Sequence, residues 1–191
     1  AYHNTVSLDD ASSAATGATY AIYSTGTVGV DIRNNIVSLS RGGTGTKYCV
    51  YYTPAPTTSN NNNLYLNAAA GINYTAYIAA VTFGTLAQYQ SNTTLDAASV
   101  AVDPAYANTA IFDYTPTNVG VNNNGAALGV ATDINNAARS LTTPDLGAYE
   151  FNVAPTDLGM FAFLSPNTSG CYSSTEAVTA VIKNFGSNAI D

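Results

Sequence analysis

The stretch TYAIYST at residues 19–25 returns as KYCVYYT at residues 47–53. Tyr20 falls on Tyr48, Ala21 on Cys49, Ile22 on Val50, Tyr23 on Tyr51 and Thr25 on Thr53, an offset of 28 positions (48 − 20). The same offset carries RNNIVSL (33–39) onto NNNLYLN (61–67) and places Asn35 on Asn63. An earlier copy, HNTVSL (3–8), matches NNIVSL (34–39) at an offset of 31, and a weaker one begins at NYTAYIAAV (73–81). A repeat this short cannot bury its apolar residues alone; it folds by stacking on its neighbours.

Each unit offers short β-rich stretches, at 19–23, 28–32 and 36–39 in one and at 48–53 and 64–66 in the next, punctuated by Gly, Pro, Asn and Thr. No segment carries a 3.6-residue apolar period over a helical length. The expected fold is therefore all-β, with each unit forming one coil of a parallel β-helix. Stacked coils bring equivalent side chains about 4.7–4.8 Å apart, close enough for amides to hydrogen-bond to their copies above and below. Asn also tolerates the left-handed backbone of a sharp bend. Asn4, Asn35 and Asn63 are accordingly expected to form a structural ladder at successive corners. Val6, Leu8, Val37, Leu39, Leu64 and Leu66 alternate so as to point into the coils.

Only 9% of residues are charged, against about 25% in ordinary globular domains, while 46% are hydrophobic, so a buried core is expected rather than disorder. The surface must be covered by Asn, Thr, Ser, Gly and Tyr, a neutral covering more familiar outside cells. Five basic residues against a net charge of −7 leave no cationic stripe for nucleic acid, and an acidic polysaccharide meets the same objection. No apolar run approaches the roughly 20 residues of a membrane-spanning helix. One histidine, His3, and two unrelated cysteines, Cys49 and Cys171, offer no metal-ligand spacing and no nucleophilic triad, so no cofactor or metal is expected. A disulfide between the two cysteines is open on sequence grounds.

Beyond residue 84 the repeat weakens and other landmarks follow: D-x-x-S-x-x-x-D-P at Asp96, Ser99, Asp103 and Pro104, then D-x-x-x-x-x-R at Asp133 and Arg139, then DLGAYE at 145–150. Their order resembles the closing part of secreted right-handed β-helix proteins of pectate-lyase-like fold, common in Bacteroidota. The resemblance covers roughly residues 1–151, with Leu146 where Ile is usual. It implies a cap over the last coil, in which Asp133 and Arg139 pair and Asp145 and Glu150 tie back the final strand. After a linker at 153–156, Asp157, Pro166, Val178, Ile182, Asn184, Gly186 and Ile190 resemble the first strands of an immunoglobulin-like adhesion module of the CARDB type. The domain expectation is thus 1–152 for the last coils and cap, and 157–191 for the start of that module. Both ends of the sequence read as interior to a longer protein.

Proteins of this build are typically exported by the type IX route and displayed or released, many as adhesins or filaments, including gliding-related ones. The resemblance therefore implies a non-enzymatic, extracellular or cell-surface segment, with no catalytic residues and no membrane insertion. Implied partners are other domains of the same chain, export machinery and surface glycans. The tyrosines of TYAIY, KYCVYY and YTAY, with Tyr20, Tyr23, Tyr48 and Tyr51 foremost, read either as core filling or as an outward strip that stacks on sugars. The alternative function is a polysaccharide lyase or hydrolase whose site lies mostly in other coils. A lyase needs a cationic group beside the substrate carboxylate and a base, for which only Arg33, Arg41 and Lys47 are present in the repeats. A hydrolase needs two facing carboxylates, and no acidic pair recurs on one strand face.

Overall fold

A computed structural model describes residues 1–26, 28–153, 158–166, 170, 175 and 177–184. The chain is mostly β with little helix, and it divides into two compact units, 1–151 and 152–191.

In the first unit the chain lays down three strands per pass. β1 (Thr5–Leu8), β2 (Thr19–Thr25) and β3 (Asp31–Arg33) are followed by β4 (Ile36–Leu39), β5 (Lys47–Thr53) and β6 (Thr58–Asn60), then β7 (Asn63–Leu66) and β8 (Asn73–Ile78). Each strand pairs in parallel with the one three elements later, giving ladders β1-β4-β7, β2-β5-β8 and β3-β6. Strand β2 pairs with β5 at the expected 28-residue offset (Tyr20↔Tyr48), and β1 with β4 at 31 (Thr5↔Ile36). The third stretch, expected over 28–32, forms instead at Asp31–Arg33, because Gly29 at φ 74° still belongs to the turn.

The core lies between the ladders. Val37, Leu39, Cys49, Val50, Tyr52, Leu64 and Ala76 are at most 1% exposed, and Leu8, Ile22 and Leu66 pack against them. Burying each such aliphatic side chain stabilises the fold by about 1.5–3 kcal/mol. Parallel stacking ends at β8, where a two-residue turn at Ala79–Ala80 returns β9 (Val81–Phe83) antiparallel to it. Helix α1 (Leu86–Asn92) then closes that end of the core with Leu86 and Tyr89. Its start is fixed by a capping box, in which Thr85 accepts the Gln88 amide while Gln88 Oε1 accepts the Thr85 amide.

The remainder, to Phe151, is largely irregular and forms a second core. Ile36, Val121 and Leu146 are fully buried there, joined by Val100, Val102, Tyr106 and Phe151. Ile36 belongs to β4, so this strap covers part of the outer face of the β1-β4-β7 ladder.

In the second unit β10 (Leu158–Ser165) and β11 (Thr179–Asn184) pair antiparallel. Of the landmarks expected there, Pro166, Val178, Ile182 and Asn184 are described, whereas Cys171, Asp157, Gly186 and Ile190 lie outside the described residues.

The corner ladder differs from expectation by one residue. Residues His3, Asn34 and Asn61 hold left-handed backbone at φ 55°, 60° and 52°, one at each successive corner. The amide after each bend makes the ladder: Asn35 Oδ1 accepts the Asn4 Nδ2 (2.9 Å), and Asn62 Oδ1 accepts both the Asn35 backbone N–H and its Nδ2 (3.0 Å each). Ser99 Oγ continues the file by accepting the Asn62 backbone N–H at 2.8 Å. Asn63 is therefore not a rung. The β4-to-β7 offset is 27, with Ile36 opposite Asn63, as is the β3-to-β6 offset (Asp31↔Thr58), so the residue lost relative to the β2-to-β5 spacing is lost between β5 and β6. Asn63 instead clamps the strap through two bonds to the Val102 backbone, each 2.9 Å.

Candidate binding surface

The β2-β5-β8 ladder turns a plate of six tyrosines outward. Its register places Tyr20, Tyr48 and Tyr74 in one file and Tyr23, Tyr51 and Tyr77 in a second. Within the first file ring centroids lie 5.3 and 5.5 Å apart, and within the second 5.2 and 4.1 Å, all stacked. Positions three apart on an extended strand are about 10 Å from each other. Yet Tyr20 meets Tyr23 at 4.9 Å and Tyr48 meets Tyr51 at 5.4 Å. The rings of each strand thus lean together over the two residues between them. On β5 those two, Cys49 and Val50, both face the core. That double inward step puts residues of odd spacing on the same outer face.

The plate is wet on one side: Tyr23 is 57% exposed, while the inner rows are half-buried by their neighbours. Ring-on-ring contacts of this geometry contribute about 0.5–1.5 kcal/mol each beyond area burial, and they fix the rings before any ligand arrives. Tyr51 is pushed up to about 12 by its hydrogen bond with Tyr77, with burial and the neighbouring phenols adding to the effect. The face presents aromatic rings and phenol hydroxyls. The four tyrosines singled out from sequence all lie on it, and Tyr74 and Tyr77 extend it. Core filling in this chain falls to other tyrosines, Tyr52 and Tyr89, both fully buried.

The cap residues are organised differently from the expected pair. Arg139 forms its ion pair with Glu150 (3.2 Å) and donates to the Gly147 carbonyl (2.9 Å). Asp133 instead gathers backbone amides, from Asn135 and Ala137 at 2.8 Å and Glu150 at 2.9 Å. Burial opposes its ionisation, but these amides, aided by the Arg139 charge, hold its carboxyl below the usual range. Asp145 and Glu150 tie the final segment back, Asp145 through the amides of Asn123 and Phe151 (2.6 Å each) and Glu150 through those of Ser140 and Asp145. This closes a loop; it does not expose a reactive group.

The cations that a lyase would require are engaged elsewhere. Arg33 pairs with Asp31 at 2.6 Å, and Arg41 donates to the hydroxyls of Ser13 and Thr19. Lys47 is 1% exposed and gives its ammonium to the carbonyls of Gly43, Gly45 and Ala70 (2.7, 3.2 and 2.7 Å), which locks two turns of adjacent passes together. Cys49 is a free thiol in the core, pushed up to about 12 by burial. Among the described residues no cluster of three or more His, Cys, Asp or Glu is placed to hold a metal, and no helix is long and apolar enough to cross a membrane.

No family model, curated protein or solved structure matches this chain.

Proposed function

We propose that this chain is a non-enzymatic segment of a large secreted or cell-surface adhesin-type protein, and that the tyrosine plate attaches it to neutral surface glycans. In this reading residues 1–151 are the last coils and cap of a right-handed parallel β-helix, and β10 and β11 begin an immunoglobulin-like module. Export by the type IX route and a gliding-related role belong to the same proposal.

One observation carries it: six tyrosines stand outward in two rigid files with no charged side chain among them. Tyr supplies contact area at low entropic cost, apolar across the ring and hydrogen-bonding at the tip, which suits a surface that is itself part C–H and part hydroxyl. The −7 net charge argues against an anionic polymer.

The test is retention of the 1–191 chain on insoluble neutral polysaccharides, compared with a Tyr23→Ala/Tyr51→Ala/Tyr77→Ala variant. These side chains are outside the core, so the fold should persist by circular dichroism while retention falls by at least about ten-fold. Unchanged retention by the folded triple variant would remove the plate from the function.

A further inference from the structure

A second surface, on a different ladder, has the chemistry of a binding trough. The outer face of β1-β4-β7 is apolar at Ile36, where the strap covers it, but one step along it becomes hydroxylic. Ser7, Ser38 and Tyr65 lie side by side in register there. The strap passes opposite with Asp103, Tyr106 and Thr109, leaving a cavity of about 350 Å³ whose floor also includes Asp9 and Asn67. Ser7 is shared with a cavity of about 290 Å³ walled by Tyr114 and Tyr149, and Thr5 joins that one to a third of about 410 Å³ beside Tyr2. The shared walls make one trough along β1. Its straight part follows the chain from Thr5 to Asp9, roughly 13 Å at the rise of an extended strand, and it turns at the His3 bend toward Tyr2.

Two carboxylates 94 positions apart in sequence (103 − 9) meet in this trough, and phenols aim both. Asp9 Oδ2 accepts from Ser7 Oγ (3.2 Å) and Tyr114 Oη (3.3 Å), while Asp103 Oδ2 accepts from Tyr65 Oη (3.2 Å). Tyr106 packs edge-on against Tyr114 at 5.2 Å, and its hydroxyl is enclosed without a hydrogen-bond partner. Burial raises the Tyr106 phenol first, with the charges of Asp9, Tyr114 and Asp103 adding to it, and its ring lines the same cavity as both acids. An enclosed hydroxyl with no partner is costly unless something completes it.

We propose that this trough binds a neutral oligosaccharide strand, with Asp9 and Asp103 accepting sugar hydroxyls and the flanking tyrosines packing on the sugar rings. Three adjoining cavities with tyrosine rings at intervals fit a short run of sugar units rather than a single small molecule. The paired carboxylates repel uronate or phosphate groups. A divalent cation fits less well, since it demands six or more oxygens, and Asp9 Oδ2 and Asp103 Oδ2 already accept from phenol hydroxyls that it would displace. The trough is separate from the tyrosine plate, so it stands or falls independently of the function proposed above.

The experiment titrates the 1–191 chain with cello-, xylo-, manno- and laminari-hexaose, and with tri-galacturonate as the charged control, following amide resonances by NMR. Saturable shifts around Ser7, Ser38 and Asp103 are expected with at least one neutral hexaose and none with the uronate. Asp9→Asn and Asp103→Asn should each weaken binding about ten-fold or more. Ser7→Trp, which fills the junction of two cavities from the outer face, should abolish it in a folded chain. The Tyr23→Ala/Tyr51→Ala/Tyr77→Ala variant should bind as the parent does. The proposal is overturned if no neutral hexaose saturates, or if binding survives the aspartate variants and disappears with the plate variant. It is equally overturned if only calcium chloride produces shifts and a melting-point rise that require Asp9 and Asp103.

Discussion

Adjacent asparagines offer the sharpest test of the corner architecture. Asn62 and Asn63 are both fully buried, yet only Asn62 belongs to the file that crosses the passes. Its Oδ1 satisfies the backbone N–H and the Nδ2 of Asn35, and its own Nδ2 donates to the Ile32 carbonyl (3.1 Å) and to Asp96 Oδ1 (2.9 Å). Asn62→Ala removes these bonds together and leaves the Asn35 backbone N–H buried without an acceptor, while its side-chain Nδ2 keeps the Arg33 carbonyl. At about 0.5–1.5 kcal/mol per lost bond and about 1–3 for the stranded donor, the loss comes to at least about 3 kcal/mol. Against a typical total of about 5–15 kcal/mol that is a large fraction, and it lowers the melting temperature by about 10 °C in a domain of this size. Asn63→Ala releases only two bonds, both to the backbone of half-buried Val102, for about 1–3 kcal/mol. Urea unfolding followed by tyrosine fluorescence and circular dichroism measures both variants. Equal losses, or a larger loss for Asn63→Ala, would refute the assignment of the ladder.

Three further outcomes are expected. His3 is buried against Asn34, and burial, with the Arg139 charge adding to it, lowers it to about 4. The unfolded chain then binds the extra proton first, so stability is full above about pH 6.5 and falls by about 3 kcal/mol as pH drops toward 4; denaturant titrations should show this slope in the parent and not in His3→Gln. The turn between β8 and β9 uses Ala79 and Ala80 at φ 46° and 75°, where Asn-Gly is preferred, so Ala79→Asn/Ala80→Gly should raise stability by about 1–2 kcal/mol in urea unfolding. Gly147 sits at φ 82°, and a β-carbon there would lie 2.6 Å from Thr5 Oγ1 and 2.8 Å from Ile36 Cδ1, so Gly147→Ala should cost about 2–4 kcal/mol and loosen the cap, seen as faster amide exchange at Ala148.

Much of the first unit was legible because stacking copies sequence into space. The 28-residue match of β2 to β5 is the register found, and the tyrosines repeat because they face the same way in each layer. The misplaced rung was also legible in principle. Val37 and Leu39 point inward, as do Leu64 and Leu66, and that parity requires an offset of 27 at this corner, which puts Asn35 on Asn62. Repeat length drifts from corner to corner because turns, unlike strands, are free to lose a residue. The capping box at Thr85 and Gln88 is a short pattern that marks the start of α1, but seven residues are too few for an apolar period to show. The trough was not legible: Asp9 and Asp103 share no motif, and only the return of an irregular strap over β1-β4-β7 brings them together. Nor could spacing alone decide that Arg139 would choose Glu150, since Asp133, at equal convenience in sequence, was claimed by amides of its own loop.

The reversal at Ala79–Ala80 also fixes a dimension. A fold that propagates by copying its previous layer has no intrinsic size, and its decoration repeats as long as copying continues. By sending β9 back along β8, the chain withdraws the template on that flank, so each tyrosine column ends at Tyr74 and Tyr77. Any polymer lying across the columns therefore meets a definite last contact there, and its footprint is set by a two-alanine bend rather than by the ligand.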